Sequence, residues 1–149
     1  MSVKNLVKPE LVFAKQQISS KKRLLEQLAE SVGDRLHCNA DEVYDALLGR
    51  EKLGSTGIGN GIAIPHCRLD QANRATIVLM SLETPIDFDS IDRRPVDLIF
   101  ALLVPSNQCD EHLATLAQIA ELAQSEDKLN ILRQAQSNSD LYSAFDSLI

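Results

Sequence analysis

The sequence predicts an α/β sandwich in which a sheet is covered by helices on both faces. Two apolar runs, ATIVLMSL at 75–82 and VDLIFALLV at 96–104, are short, rich in β-branched residues and bounded by prolines, which is typical of buried strands. Segments with helical periodicity precede and follow these runs. With 149 residues, 44% of them hydrophobic, the chain is long enough for one core, so we expect a single domain over residues 1–149.

The helical segments are predicted from their apolar periodicity and their end signals. Ser20 is a suitable N-cap for a helix over residues 20–32, and Gly33 stands where a C-terminal cap is expected. A second helix is predicted from Asn39 to about Arg50, with acidic residues in its first turn. The chain is predicted to be helical again from about residue 107, with shorter helical signals at 129–135 and 141–148. The helix from residue 107 is predicted to carry Leu113, Leu116, Ala117, Ala120 and Ala123 on one face.

Four of the six glycines lie in the segment GSTGIGNG at 54–61, which we call the glycine loop. This composition predicts a loop with unusual backbone angles that leads into a short strand, IAI at 62–64, closed by Pro65. Converging N–H groups in such a loop bind anions, and Ser55 and Thr56 add hydroxyl donors. A tight turn without a ligand fits the composition equally well. The P-loop and dinucleotide patterns do not fit, because the glycines lead into a strand rather than a Lys-Ser/Thr pair or a helix.

His66 follows Pro65 at the end of the predicted short strand. Imidazole is a nucleophile near neutral pH when its second nitrogen is held as a hydrogen-bond donor. A histidine considered alone is more often structural, and the same holds for His37 and His112. The sequence by itself leaves both interpretations open.

Composition excludes several classes of function. The net charge of −6 and the scattered basic residues argue against binding to nucleic acid or to an anionic membrane surface. No stretch approaches 18 apolar residues and the N-terminus lacks a signal-peptide pattern, so we expect a cytoplasmic protein without membrane insertion. Three cysteines, Cys38, Cys67 and Cys109, are expected to be reduced thiols. Because each lies near a histidine, a metal or redox sensor is a rival hypothesis, although no zinc-type spacing is present.

The segment EKLGSTGIGNGIAIPHC, residues 51–67, closely resembles the signature around the phosphorylated histidine of enzyme IIA domains of the fructose/mannitol type in the bacterial sugar phosphotransferase system. The resemblance extends over nearly the whole chain, including SSKKRLLEQLAE, SLETPIDFDSIDRRPVDLIFALLVPS and HLATLAQIAELAQS. These last segments are most similar to the nitrogen-regulatory branch. The resemblance implies a mixed central sheet with flanking helices.

The resemblance also implies roles for individual residues. His66 corresponds to the phosphoryl acceptor, through Nε2 with Nδ1 tied to backbone, while Arg50 and His112 correspond to the cationic residues beside it. A helix-dipole partner remains the alternative for Arg50, and a satisfied helix residue the alternative for His112. Cys67 stands where the family commonly has glycine. The phosphoryl-binding loop implied by the resemblance comprises Ser55, Thr56, Gly57, Gly59 and Asn60.

Partners follow from the resemblance in the same way. The donor is expected to be a histidine-containing phosphocarrier protein, and the regulated targets to include potassium transporters and sensor kinases, with a link to nitrogen metabolism. Neither a cofactor nor a metal is expected, and we expect a monomer or a weak dimer. One alternative is a sugar-uptake enzyme IIA that passes phosphate to a IIB domain. Another, a binding module without phosphotransfer, is disfavoured by the presence of Arg50, His66 and His112.

Overall fold

The structure, a computed structural model, describes residues 3–70, 72, 74–106 and 111–149. Within these ranges the chain forms six helices and six strands. The helices are α1 (Val3–Leu6), α2 (Lys21–Leu36), α3 (Ala40–Glu51), α4 (Glu111–Leu122), α5 (Glu126–Gln134) and α6 (Asn138–Leu148). The strands are β1 (Val7–Gln16), β2 (Gly57–Gly59), β3 (Ile62–Ala63), β4 (His66–Leu69), β5 (Thr76–Ile86) and β6 (Val96–Pro105).

The strands form a mixed sheet in the order β1-β5-β6-β3-β2, with β4 also paired to β6. β5 and β6 are antiparallel, whereas β1 runs parallel to β5, and β3 and β4 run parallel to β6. β3 and β4 keep one register along β6, since Ile62 pairs with Leu98 and His66 pairs with Leu102. They therefore act as a single strand interrupted at 64–65. The expected mixed sheet is confirmed.

Helices cover both faces of the sheet, as the apolar strands predicted. On one face, residues of α4, α5 and α6, such as Ile119, Leu129 and Phe145, pack in one hydrophobic cluster with alternate residues of β6. On the other face, residues of α2 and α3, such as Leu25 and Leu47, pack with the intervening residues of β6. β5 and β6 thus contribute apolar side chains to both cores, which explains why their sequences are continuous apolar runs.

The N-terminal caps follow the sequence, whereas one predicted helix end was wrong. Ser20 accepts a hydrogen bond from the backbone N–H of Arg23 at 3.2 Å and caps α2. The helix does not end at Gly33 but continues to Leu36, and the left-handed residue is His37, with φ of 56°. A Cβ at Gly33 would lie 3.1 Å from the carbonyl oxygen of Cys38, so this glycine permits close approach of the following turn instead of ending the helix.

The apolar face predicted for α4 is only partly buried: Leu116 packs against the core and Ala123 is buried in it, but the other three residues are exposed. Leu113 is 63% exposed, and Ala117 and Ala120 are also exposed, whereas Thr115 and Ile119 are buried. The sequence EHLATLAQIAEL carries small and apolar residues on more than one face, so periodicity alone does not separate its buried positions from its exposed ones. The first residues assigned to this helix, 107–110, lie outside the described residues.

The glycine loop contains regular structure that its composition did not predict. β2 and β3 pair antiparallel as a hairpin, joined at Asn60 and Gly61, whose φ angles are 58° and 80°. Asn-Gly with two positive φ angles is the preferred two-residue hairpin turn, so the sequence signal was present.

The sequence analysis also missed β1, which has Pro9 near its start and forms an edge of the sheet. Among the described residues, no helix is both long and apolar enough to cross a membrane.

Candidate functional site

His66 is the first residue of β4 and is half-buried at the interrupted strand. The backbone around it is fixed, because the carbonyl of Pro65 accepts a hydrogen bond of 2.8 Å from the N–H of Leu102. Cys67, the next residue, joins the core under α2 and α3. Strand alternation therefore directs His66 toward the opposite side of the sheet, where Leu102 packs with α4–α6.

Two contacts define the chemistry of the imidazole. Nδ1 lies 2.8 Å from the carbonyl oxygen of Ile64, which only accepts hydrogen bonds, so Nδ1 carries the proton. Arg50 donates its Nε–H to Nε2 over 3.2 Å, and a guanidinium only donates, so Nε2 presents a lone pair. Arg50 is itself held by a bond of 2.9 Å from its Nη1 to the carbonyl oxygen of Gly54. The neutral Nδ1–H tautomer satisfies both contacts and makes Nε2 the nucleophilic nitrogen.

A cavity of about 500 Å³ opens beside this nitrogen. Its polar lining includes His66, Arg50 and Arg68, and its apolar lining includes Leu53 and Val104. Arg68 was not identified from the sequence; it lies two residues after His66 on the same face of β4 and its side chain is exposed. The His-x-Arg spacing on a strand was the signal that could have found it. Two arginines therefore line the cavity that contains His66.

The hydroxyls of Ser55 and Thr56, predicted to face a phosphoryl group, donate within the protein. Ser55 Oγ donates to the carbonyl oxygen of Phe88 at 2.6 Å and accepts from the N–H of Gly57 at 3.0 Å. Thr56 Oγ1 donates to a carboxylate oxygen of Glu51, a buried residue that sequence reasoning did not single out. Both hydroxyl protons thus hold the loop in shape.

The turn of the hairpin is held from two directions. The N–H of Asn60 donates to Asp92 Oδ2 at 3.0 Å, and its side-chain amide donates to the carbonyl oxygen of Ala123 at 3.0 Å. Arg133 donates to the carbonyl oxygen of Asn60 and also to Asp97, at 3.0 Å in the latter case. Backbone N–H groups of Arg94 and then of Asn60 lower the pKa of Asp92. Gly59 lies close by, since a Cβ there would be 3.2 Å from Asp92.

Two of the predicted residues lie partly or wholly outside the described part of the chain. The backbone of His112 belongs to the first turn of α4, but its side chain is not among those described, and Cys109 is not described at all.

Burial raises the pKa of the Cys67 thiol to about 12, so this group stays protonated and unreactive near neutral pH. Among the described residues, no group of three or more His, Cys, Asp and Glu side chains is placed to hold a metal ion.

Comparison with known proteins gives one consistent result. Residues 5–147 match the family model described as phosphoenolpyruvate-dependent sugar phosphotransferase system, EIIA 2. The nitrogen regulatory protein of Klebsiella oxytoca is 46% identical over 143 residues, which cover 95% of this chain and 88% of that protein. That of Escherichia coli strain K12 is 45% identical with the same coverage. The crystal structure of the nitrogen regulatory protein IIA-Ntr from Neisseria meningitidis is similar with a TM-score of 0.89 at 32% identity, covering 95% of this chain and 97% of that chain.

Proposed function

Because the chain belongs to the EIIA 2 family of the phosphoenolpyruvate-dependent sugar phosphotransferase system, we propose that it is a phosphohistidine carrier that accepts a phosphoryl group on His66. The donor is a histidine-containing phosphocarrier protein, and the reaction needs no metal or nucleotide on this chain. Arg50, Arg68 and His112 supply positive charge or hydrogen bonds to the transferred group.

The observation that carries this proposal is the tautomer of His66. With Nδ1 bound to the carbonyl oxygen of Ile64, the lone pair of Nε2 attacks phosphorus while the N–P bond to the donor's imidazole breaks and returns its electron pair to the donor. The Nδ1 proton remains on the ring, where the same carbonyl stabilises it. Arg50, which holds Nε2 before attack, is then released to a phosphoryl oxygen.

Within the family, we assign the chain to the regulatory branch. The relatives that support this are named nitrogen regulatory proteins and are 45–46% identical, whereas the fructose-specific EIIA component of Haloferax volcanii is 33% identical over 86% of this chain. The phosphorylation state of His66 then regulates partner proteins, with potassium transporters and sensor kinases as the expected targets. Sugar uptake through a IIB domain is the second candidate.

The acceptor assignment is tested by charging the protein with phosphoenolpyruvate, an enzyme I and the phosphocarrier protein, followed by mass spectrometry. One phosphoryl group should appear on His66, and His66→Ala should abolish it. His37→Asn is the matched control, because His37 is exposed and asparagine tolerates its φ of 56°. A phosphoryl group on Ser55 or Thr56 would overturn the proposal.

The branch assignment needs a separate measurement. Sugar-specific IIB proteins are added to the charged protein, and the remaining phosphohistidine is measured over time. A regulatory protein should keep its phosphoryl group at the rate of spontaneous hydrolysis. Rapid loss to a IIB protein would instead assign the chain to sugar uptake.

A further inference from the structure

Glu51, the last residue of α3, is a buried carboxylate with several donors around it. Its side chain is only 3% exposed, and its Oε2 lies 2.9 Å from Nζ of Lys21. The same oxygen accepts a hydrogen bond from the N–H of Thr56 at 3.2 Å, and Oε1 accepts from the hydroxyl of Thr56. A carboxylate at this depth is retained only when it is paired and hydrogen-bonded, and here both oxygens are engaged.

Lys21 is itself held in place, which makes the ion pair a fixed unit. Its side chain is 22% exposed, and Nζ lies 4.6 Å from the centre of the Phe88 ring and 3.8 Å from Asp89. The carbonyl of Phe88 accepts the hydroxyl proton of Ser55. The start of α2, through Glu51, and the segment that follows β5 thus both hold the part of the glycine loop that contains the two hydroxyl residues.

A continuous set of hydrogen bonds leads from Glu51 to His66. The carbonyl oxygen of Thr56 accepts from the N–H of Ile64 at 3.0 Å, and the carbonyl oxygen of Ile64 lies 2.8 Å from Nδ1 of His66. On the other side, Glu51 directly follows Arg50, whose Nε–H donates to Nε2. The groups that hold both imidazole nitrogens are therefore attached to the segment that Glu51 anchors.

We propose that Glu51, paired with Lys21, is a positioning residue that holds His66 in the Nδ1–H tautomer through Thr56 and Ile64. This role rests on the proposed phosphoryl transfer at His66 and adds a residue to it that does not touch the reacting atoms. Releasing Thr56 frees its carbonyl and, with it, the backbone of Ile64 between β3 and β4, whose N–H donates to that carbonyl. The imidazole then also populates the Nε2–H tautomer, in which the nucleophilic nitrogen has lost its lone pair.

The test measures the tautomer and the transfer rate on the same proteins. Nitrogen-15 NMR of the His66 ring distinguishes the two tautomers without any phosphorylation, and single-turnover kinetics with charged phosphocarrier gives the transfer rate. For Glu51→Gln we expect a detectable Nε2–H population and transfer slowed by about 10-fold or more, since small misplacements of a reacting group have effects of this size. Glu26→Gln is the matched control, because Glu26 is a partly exposed carboxylate of α2 that pairs with the exposed Arg23 at 3.4 Å.

Substitutions at Thr56 keep the test decisive if Glu51→Gln does not fold. Thr56→Val removes the hydroxyl donor at similar volume, whereas Thr56→Ser retains it, so transfer and tautomer should be recovered in the serine variant relative to the valine variant. Folded Glu51→Gln and Thr56→Val proteins with the wild-type tautomer would overturn the positioning role, even if transfer were slower. A wild-type protein that is not phosphorylated on His66 would instead reject the proposed function, while the tautomer measurement would still decide the role of Glu51.

Discussion

Replacing Arg50 by alanine tests the electrostatic part of phosphoryl transfer with the least ambiguity. The substitution removes the guanidinium that contacts Nε2 of His66 at 3.2 Å and Gly54 O at 2.9 Å. Both contacts lie at the end of α3, outside the two hydrophobic cores. The change therefore alters charge at the site more than packing.

The expected effect on transfer is larger than the effect on stability. At an effective dielectric constant of about 20, unit charges about 4 Å apart interact by about 4 kcal/mol. Arg50 is half-buried, so solvent screening reduces this value, and the loss of one preorganised donor, about 2.7 kcal/mol or 10²-fold in rate, is the appropriate size. Loss of the bond to Gly54 and of a cation at the C-terminus of α3 should lower the free energy of unfolding by only about 1 kcal/mol.

The assay is single-turnover transfer from charged phosphocarrier, followed by rapid quenching, together with urea unfolding of each variant. Arg50→Lys keeps the charge but not the donor geometry, and its rate should fall between wild type and Arg50→Ala. Arg23→Ala, an exposed arginine of α2, is the control for loss of one positive charge. Transfer by Arg50→Ala within about 3-fold of wild type would refute the electrostatic role, given the 10²-fold expectation.

Two further predictions follow. Arg68→Gln should slow transfer by about 5- to 10-fold, which is less than Arg50→Ala because the Arg68 side chain is exposed and screened. The slowing relative to wild type should shrink with added salt. Equal transfer rates for Arg68→Gln and for the control Arg74→Gln, at another exposed arginine, would exclude Arg68 from the site. Burial raises the pKa of Cys67 from 9.0 to about 12, so as the pH rises the unfolded chain loses the thiol proton before the folded protein does. The stability that the neutral thiol supplies is therefore present below pH 9.0 and lost between pH 9.0 and 12. Urea unfolding should therefore show wild type losing about 1 kcal/mol more than Cys67→Ala between pH 8 and pH 10, and parallel pH curves would contradict this.

Local signals predicted the elements whose formation depends on neighbouring residues. Ser20 and Asn39 cap α2 and α3 as expected, since a capping side chain satisfies an N–H three residues away. The strands predicted at 75–82 and 96–104 correspond to β5 and β6, because burial on both faces requires continuous apolar sequence. In each case the residues that cap the helix or form the buried strand lie within about ten positions of one another.

Elements set by distant contacts were missed. β1 pairs in parallel with β5, as in the pairing of Val12 with Leu79, 67 residues further along the chain. The sequence of β1 itself includes charged residues and Pro9. Gly33 resembles a helix end only until the position of Cys38 is known. Leu113 lies on an apolar stripe of α4 that the structure leaves partly exposed. Sequence periodicity does not indicate which distant residues come into contact in the fold.

The candidate site shows the same division between local and distant information. His66 and Arg50 were identified through the resemblance, and the structure brings them together, but the functions of Ser55 and Thr56 depend on partners elsewhere. The partner of Ser55 is the carbonyl of Phe88, 33 residues away, and that of Thr56 is a buried carboxylate. Glu51 gave no signal, because an acidic residue at the end of a helix is ordinarily exposed.

These hydrogen bonds indicate how the protein can bind a phosphoryl group with a net charge of −6. The hydroxyls of the glycine loop bind Phe88 and Glu51, so in the proposed function the loop would contribute rigidity and Arg50 and Arg68 would contribute the positive potential. A site built in this way would change its local charge when phosphorylated, because the phosphoryl oxygens carry roughly two negative charges while the ring, which keeps its Nδ1 proton, gains one positive charge. In the proposed transfer its backbone would stay in place, because the contact of His66 Nδ1 with the carbonyl of Ile64 does not involve the reacting nitrogen. A regulatory partner would therefore distinguish the two states by charge at one surface point and not by a change of fold.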